Sequence, residues 1–104
     1  MTDLVVVLCT CAKEEEGLRI AETLVKERLA ACVNLLPPVR SIYRWQGAIE
    51  RATEALLIIK TSQPSLPALR DRIVQLHSYD TPELVALPVT DGLEKYMAWW
   101  REQL

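Results

Sequence analysis

The sequence predicts an α+β fold: a ferredoxin-like split βαβ sandwich, ordered β-α-β-β-α-β with one further helix at the end. Three observations predict it. Extended and helical hydrophobic periods alternate along the chain in that order. Each of the first two helical segments follows one strand-like run and precedes another, which suits crossovers between parallel strands. The 104 residues, half of them apolar and a quarter charged, are enough for one core and too few for two. Residues 1–104 are therefore expected to form a single domain.

The elements follow in turn. Leu4 to Cys9 is a continuous β-rich run, as expected of a central strand. Glu14 to Leu29 reads as a helix, with Leu18, Ala21, Val25 and Leu29 near one stripe. Glu14, Glu15 and Glu16 fall in its first turn, where carboxylates suit the positive end of the dipole, and are read as a solvated helix start. Ala31 to Leu36 is a strand that resumes after Pro37-Pro38 as Val39 to Trp45. Gln46-Gly47 marks a turn, and Ala48 to Thr61 is a second long extended run. Ser65 is placed to cap a helix with Pro67 in its first turn and Leu66, Leu69, Ile73 and Leu76 on its buried face. Leu84 to Val89 is a strand whose Pro88 argues for an edge or a terminus. Asp91 with Glu94 resembles a capping box before a helix from Leu93 to Gln103.

Two spatial consequences follow from this order. The end of the first strand, the turn of the central hairpin and the start of the fourth strand share one end of the sheet. Cys9, Cys11, His77 and Glu83 should gather there, with Cys32 at the opposite end. The hairpin arms would each extend about 45 Å at roughly 3.4 Å per residue, whereas a compact domain of this length is roughly 34 Å across. The tip, with Tyr43, Trp45 and Ile49, should project beyond the body. A bare two-stranded ribbon is marginal in water, so another copy of the chain is the simplest cover. Tyr43 and Trp45 alternate onto one face and are candidate subunit-interface residues. Trp99 and Trp100 point about 100° apart on their helix, so at least one is expected to seal an interface.

Charge and composition narrow the function. Twelve Lys and Arg against fourteen Asp and Glu leave a formal charge of −2, without the basic excess of a nucleic-acid module. The apolar runs are far shorter than the roughly 20 residues of a membrane span. The N-terminus lacks the basic flank of a signal peptide. Three cysteines, an odd number, do not suit a disulfide framework, and a reducing cytoplasm is the simplest home.

Cys9 and Cys11 carry soft thiol ligands suited to Cu(I) or Zn, and His77, the single histidine, could add an imidazole nitrogen. Glu83 could add an oxygen for a harder ion. The plainer alternatives are thiols that fill space in the core and a surface or capping histidine. Cys32 is read as structural. Only three glycines exist and no phosphate-binding loop is formed; with one histidine a catalytic triad does not arise, although Cys9 and His77 could in principle act as a pair. The chain is not read as an enzyme.

Several segments carry a family resemblance. Val5 to Thr10, Glu27 to Asn34, Ser41-Ile42-Tyr43-Arg44-Trp45-Gln46-Gly47, Lys60-Thr61, Tyr79-Asp80-Thr81-Pro82-Glu83-Leu84 and the ending Tyr96 to Trp99 resemble the CutA family, in unbroken order over almost the whole chain. The resemblance implies a ferredoxin-like subunit, a tight homotrimer like that of PII-type signal proteins, and a role in divalent-cation tolerance. It also implies copper binding through the first-strand cysteine, here Cys9, and two adjacent histidines. The second of these is His77; Leu76 stands in place of the first, and Ser78 where a proline is common. A site lacking one imidazole should hold copper, or another divalent cation, with modest affinity. Two other readings compete with this one. One is a PII-like module taking a small ligand in clefts between subunits, and the other is a structural or anchoring trimer without a ligand.

Overall fold

The computed structural model describes residues 2–104. Seven elements follow one another: β1 (Leu4–Cys11), α1 (Glu14–Lys26), β2 (Cys32–Trp45), β3 (Ala48–Ser62), α2 (Leu66–Leu76), β4 (Val85–Pro88) and α3 (Glu94–Glu102). The strands form one antiparallel sheet in the order β2-β3-β1-β4. This is the ferredoxin-like arrangement, with β1 and β3 central. The three prolines of the sheet sit on its two edge strands, where a missing N–H costs no ladder bond. Pro88 ends β4, and Pro37 and Pro38 fall at a register shift between Leu36 and Val39 of β2.

Period-2 alternation sorts β1 between two environments. Val5, Val7, Cys9 and Cys11 face the main core with Leu57 and Ile59 of β3. Ile20 and Leu24 of α1 and Leu69 and Ile73 of α2 close over them, all fully buried. A smaller cluster of Leu4, Ala31, Met97 and Trp100 lies where α3 crosses one end of the opposite face. Trp100 Nε1 donates to the Thr61 carbonyl at 3.0 Å, while Trp99 stays exposed. The rest of that second face carries Leu36, Val85 and Leu87, each more than two-fifths exposed.

The hairpin outruns the sheet. β1 pairs with β3 only from Ala55 to Ser62, whereas β2 and β3 stay paired out to Trp45 and Ala48. The long axis of the molecule measures 45 Å against 25 and 23 Å for the others. At the tip Gln46 (φ 49°) and Gly47 (φ 81°) take left-handed conformations, as a two-residue primed turn requires. Ile42, Tyr43, Trp45 and Ile49 are all exposed.

Four expectations need correction. α1 ends at Lys26 and not at Leu29: Arg28 turns left-handed at φ 60°, and the Leu29 and Ala30 amides both donate to the Leu24 carbonyl. The buried stripe of α1 is Glu16, Gly17, Ile20 and Leu24, so the helix is rotated from the predicted face and Leu18 and Val25 are exposed. Gly17 lets the helix lie close on that face: a β-carbon there would lie 2.9 Å from Leu35 Cδ1 and 3.4 Å from Leu57 Cδ2. Ser65 makes no capping bond to its helix; its hydroxyl accepts from Ser62 at 3.1 Å. Asp91 and Glu94 form no capping box either: Leu93 is the N-cap, and the Asp91 carboxylate accepts from the Gly92 amide at 2.8 Å.

Candidate metal centre at the rim of the sheet

The end of β1, the first turn of α1 and the C-cap of α2 meet at one rim of the core. Cys9 and Cys11 are two residues apart on a strand and therefore project to the same, helix-covered face. Both are fully buried free thiols. His77 is the C-cap of α2, where the chain leaves the helix in an extended conformation. Of the two plainer alternatives, a surface or a capping histidine, it takes the capping place, and it is buried. The donor atoms of Cys9, Cys11 and His77 all lie within 4.8 Å of one another.

Both ring nitrogens of His77 are engaged. Nε2 lies 2.8 Å from the Thr10 carbonyl, which can only accept, so Nε2 carries the proton. Nδ1 accepts from the Tyr79 amide at 3.0 Å. The Cys9 sulfur also points toward the Thr10 carbonyl, at 3.9 Å. On the Nδ1 side stands Glu16. Its Oε1 is 3.8 Å from Nδ1, buried and without a hydrogen-bond partner among the described residues. Burial of an unpartnered carboxylate oxygen is costly, on the order of 1–3 kcal/mol or more. The Cys11 sulfur beside it, and then burial, push the Cys9 thiol far above its ordinary range. The same contact with Cys9 lowers the Cys11 thiol, against the burial that raises it. The donors suit a soft cation: two sulfurs, an imidazole and a stranded carboxylate.

Glu83 is not part of this group. It is exposed and lines a cleft of about 730 Å³ on the opposite side of β1, with Thr10, Tyr43, Glu54, Tyr79 and Asp80 among its neighbours. Its charge still reaches Cys9, whose proton it helps to retain. Within the cleft Tyr79 donates to Glu54 Oε2 at 2.8 Å. Burial and that bond together raise the Tyr79 hydroxyl above its ordinary range. Tyr43 and Trp45 form the outer part of the cleft wall, on the hairpin. Cys32 begins β2, paired with Lys60, at the far end of the sheet. Sequence reasoning missed Glu16 as a neighbour of His77. Its signal was the spacing Glu16, Ile20, Leu24, which puts the carboxylate on the stripe that is buried.

A split βαβ sheet with a thiol–imidazole cluster under its rim and an overlong hairpin defines a small ferredoxin-like α+β protein with a candidate metal centre. The match to known proteins is specific: residues 5–103 fit the family described as CutA1 divalent ion tolerance protein, and the chain belongs to that family. The divalent-cation tolerance protein CutA of Thermus thermophilus is 50% identical over 97 residues, 93% of this chain and 94% of the relative. Its solved structure, a divalent cation tolerance protein, superposes with a TM-score of 0.94 at 48% identity, over 96% of this chain and 97% of that one. A CutA structure from Archaeoglobus fulgidus, described as a periplasmic divalent cation tolerance protein, gives 0.93 at 38% identity over 96% and 97%. Some relatives are longer: the chain matches the chloroplastic CutA protein of Arabidopsis thaliana with 44% identity over 91% of its own length but spans about half (52%) of that relative.

Proposed function

We propose that this protein is a homotrimer that acts in metal-ion tolerance or response by binding copper, or another divalent cation, with modest affinity. The observation that carries the metal reading is the convergence of Cys9 and His77, far apart in the sequence, in one buried cluster. Cys9 is the first ligand and His77 the second; Glu83, which opens onto the cleft on the other side of β1, is set apart from them. Leu76 in place of a second imidazole, and the engagement of both His77 nitrogens, keep the affinity modest. The role is one of binding and not of catalysis. Free thiols at all three cysteines support a cytoplasmic setting, although the Archaeoglobus relative is described as periplasmic.

The trimer is supported by surfaces that one chain leaves open. Leu36, Val85 and Leu87 on the second sheet face, and Tyr43, Trp45 and Ile49 on the hairpin, form apolar area of the kind that protein contacts cover. The number three comes from the family resemblance. Copper titration of the wild type, Cys9→Ser and His77→Ala, with Cys32→Ser as control, tests the metal reading. Weakened binding in the first two variants alone is expected; equal affinity in wild type and Cys9→Ser would remove it.

A second reading has an observation of its own. The cleft between Thr10, Glu54, Tyr79 and the hairpin has the volume of a small-molecule site. In a trimer it would lie beside a neighbouring subunit, as in a PII-like ligand module. A thermal-shift screen of metals and nucleotides separates the readings, because a ligand at 100 times its Kd adds about 2.7 kcal/mol of stability.

A further inference from the structure

Cys11 and Glu16 are the two members of the rim cluster that the reading above leaves without a part. Cys11 is fully buried, and its sulfur stands within 4.8 Å of the Cys9 sulfur and a His77 nitrogen. Metal–sulfur bonds of about 2.3 Å and metal–nitrogen bonds of about 2.0 Å place two ligands of one ion up to about 4 Å apart. The three donors thus need to close by less than an ångström or so to share an ion. Glu83 is not among them. Glu16 Oε1, buried and unpartnered, faces the other edge of the imidazole at 3.8 Å from Nδ1.

A histidine that ligates through one nitrogen ordinarily donates the other N–H to a carboxylate or carbonyl. Nε2 carries the proton and faces the Thr10 carbonyl, toward which the Cys9 sulfur also points. Nδ1 faces Glu16. The ring is thus set between the thiols' side and a carboxylate oxygen that has no hydrogen-bond partner among the described residues. We propose that Cys9, Cys11 and His77 Nε2 form a three-donor site for one soft, thiophilic cation, Cu(I) or Zn(II), and that Glu16 is its positioning residue, accepting the Nδ1 proton when the ion is bound. This rests on the metal reading above and assigns its second sulfur and its supporting carboxylate.

The protons balance as follows. Each thiol loses one proton to solvent as its thiolate ligates, two per ion. The imidazole stays neutral: its proton leaves Nε2 and one is taken up at Nδ1, where it is donated to Glu16. The Tyr79 amide and the Thr10 carbonyl each lose their bond to the ring. Tyr79 is half-buried, so water can replace its lost acceptor. These lost bonds oppose binding.

The chain has a single histidine, so its ring nitrogens give one unambiguous pair of ¹⁵N resonances. The experiment records them in the full-length protein, without metal and with one equivalent of Cu(I) or Zn(II), while an indicator counts released protons. The expected result is an Nε2–H tautomer without metal, Nδ1–H with it, and two protons released per ion. The ion that binds more tightly in the two parallel titrations is the one the site prefers. Cys11→Ser should weaken binding at least tenfold and release one proton. Glu16→Gln should weaken it by about 10- to 100-fold and leave the Nδ1–H form less populated, while Glu83→Gln should change neither readout. If Cys9→Ser abolishes binding and Cys11→Ser does not, this assignment falls and the metal reading stands. If wild type binds neither Cu(I), Cu(II) nor Zn(II), both fall. An ion bound with the Nε2–H tautomer unchanged overturns the role of Glu16. Should Cys11→Ser lose its native circular-dichroism spectrum, the tautomer and proton count in wild type decide.

Discussion

His77 shows how much of a site is settled by one residue's hydrogen bonds. Its ring bridges Thr10 of β1 to Tyr79, the second residue beyond it, and so ties the end of the central strand to the segment leading into β4. Removing the ring leaves the Thr10 carbonyl and the Tyr79 amide without that partner. His77→Ala should therefore destabilise the fold by about 2 kcal/mol or more even without metal, read by urea denaturation. Thiol access gives a second test. Under native conditions iodoacetamide should modify Cys32 first, because Cys9 and Cys11 are fully buried; peptide mass spectrometry reads the order. Tyr79 gives a third. Folding raises its pKa, so above about pH 10 the unfolded chain holds fewer protons than the folded one. Stability then falls as pH rises through the alkaline range. Tyr79→Phe should flatten that fall relative to wild type in pH-dependent thermal melts. The meeting of Cys9 with His77 was legible from strand order alone, since both stand at the same end of the sheet. The burial of Glu16 was legible only through its spacing to Ile20 and Leu24, because a run of three glutamates by itself looks the same whether its last member faces water or an imidazole.

Elements were legible where the period was long and punctuated. The hairpin read through its alternation and its Gln-Gly turn, and α2 through Leu69 and Ile73, four residues apart. The face of α1 was misjudged because Leu18 and Val25 outweigh Gly17 in hydropathy. A glycine contributes no apolar area, yet its missing side chain lets the helix lie against Leu35 and Leu57. The end of α1 was illegible because Arg28 adopts φ 60° with no glycine to announce it. At the hairpin tip Gln46→Asn should stabilise by about 0.5 kcal/mol, since asparagine tolerates the left-handed turn position better than glutamine. A small upward shift in melting temperature is expected. Leu57→Ala, in the central strand beneath both helices, should cost about 2–5 kcal/mol.

The whole molecule presents one covered sheet face and one largely open one, and its predictions concern assembly. Light scattering at micromolar concentration and below should report three chains per particle. If Trp45 is fully covered in that particle, Trp45→Ala should cost on the order of 3–5 kcal/mol and favour dissociation; an unchanged trimer with native melting would place the interface elsewhere. Composition and hairpin length pointed to an oligomer from the sequence, but neither counts subunits, since an exposed surface does not specify the symmetry that covers it. β1 also has a consequence beyond stability. Its odd-numbered residues put two sulfurs in a dry compartment, and its even-numbered Thr10 puts a hydroxyl in a wet one, one strand's thickness away. The two compartments share a wall and differ only by parity. Deleting one residue from β1 before Cys9 without moving the strand would exchange the two faces, with the hydroxyl under the helices, both thiols on the opposite face and Cys11 in the place of Thr10 at the cleft.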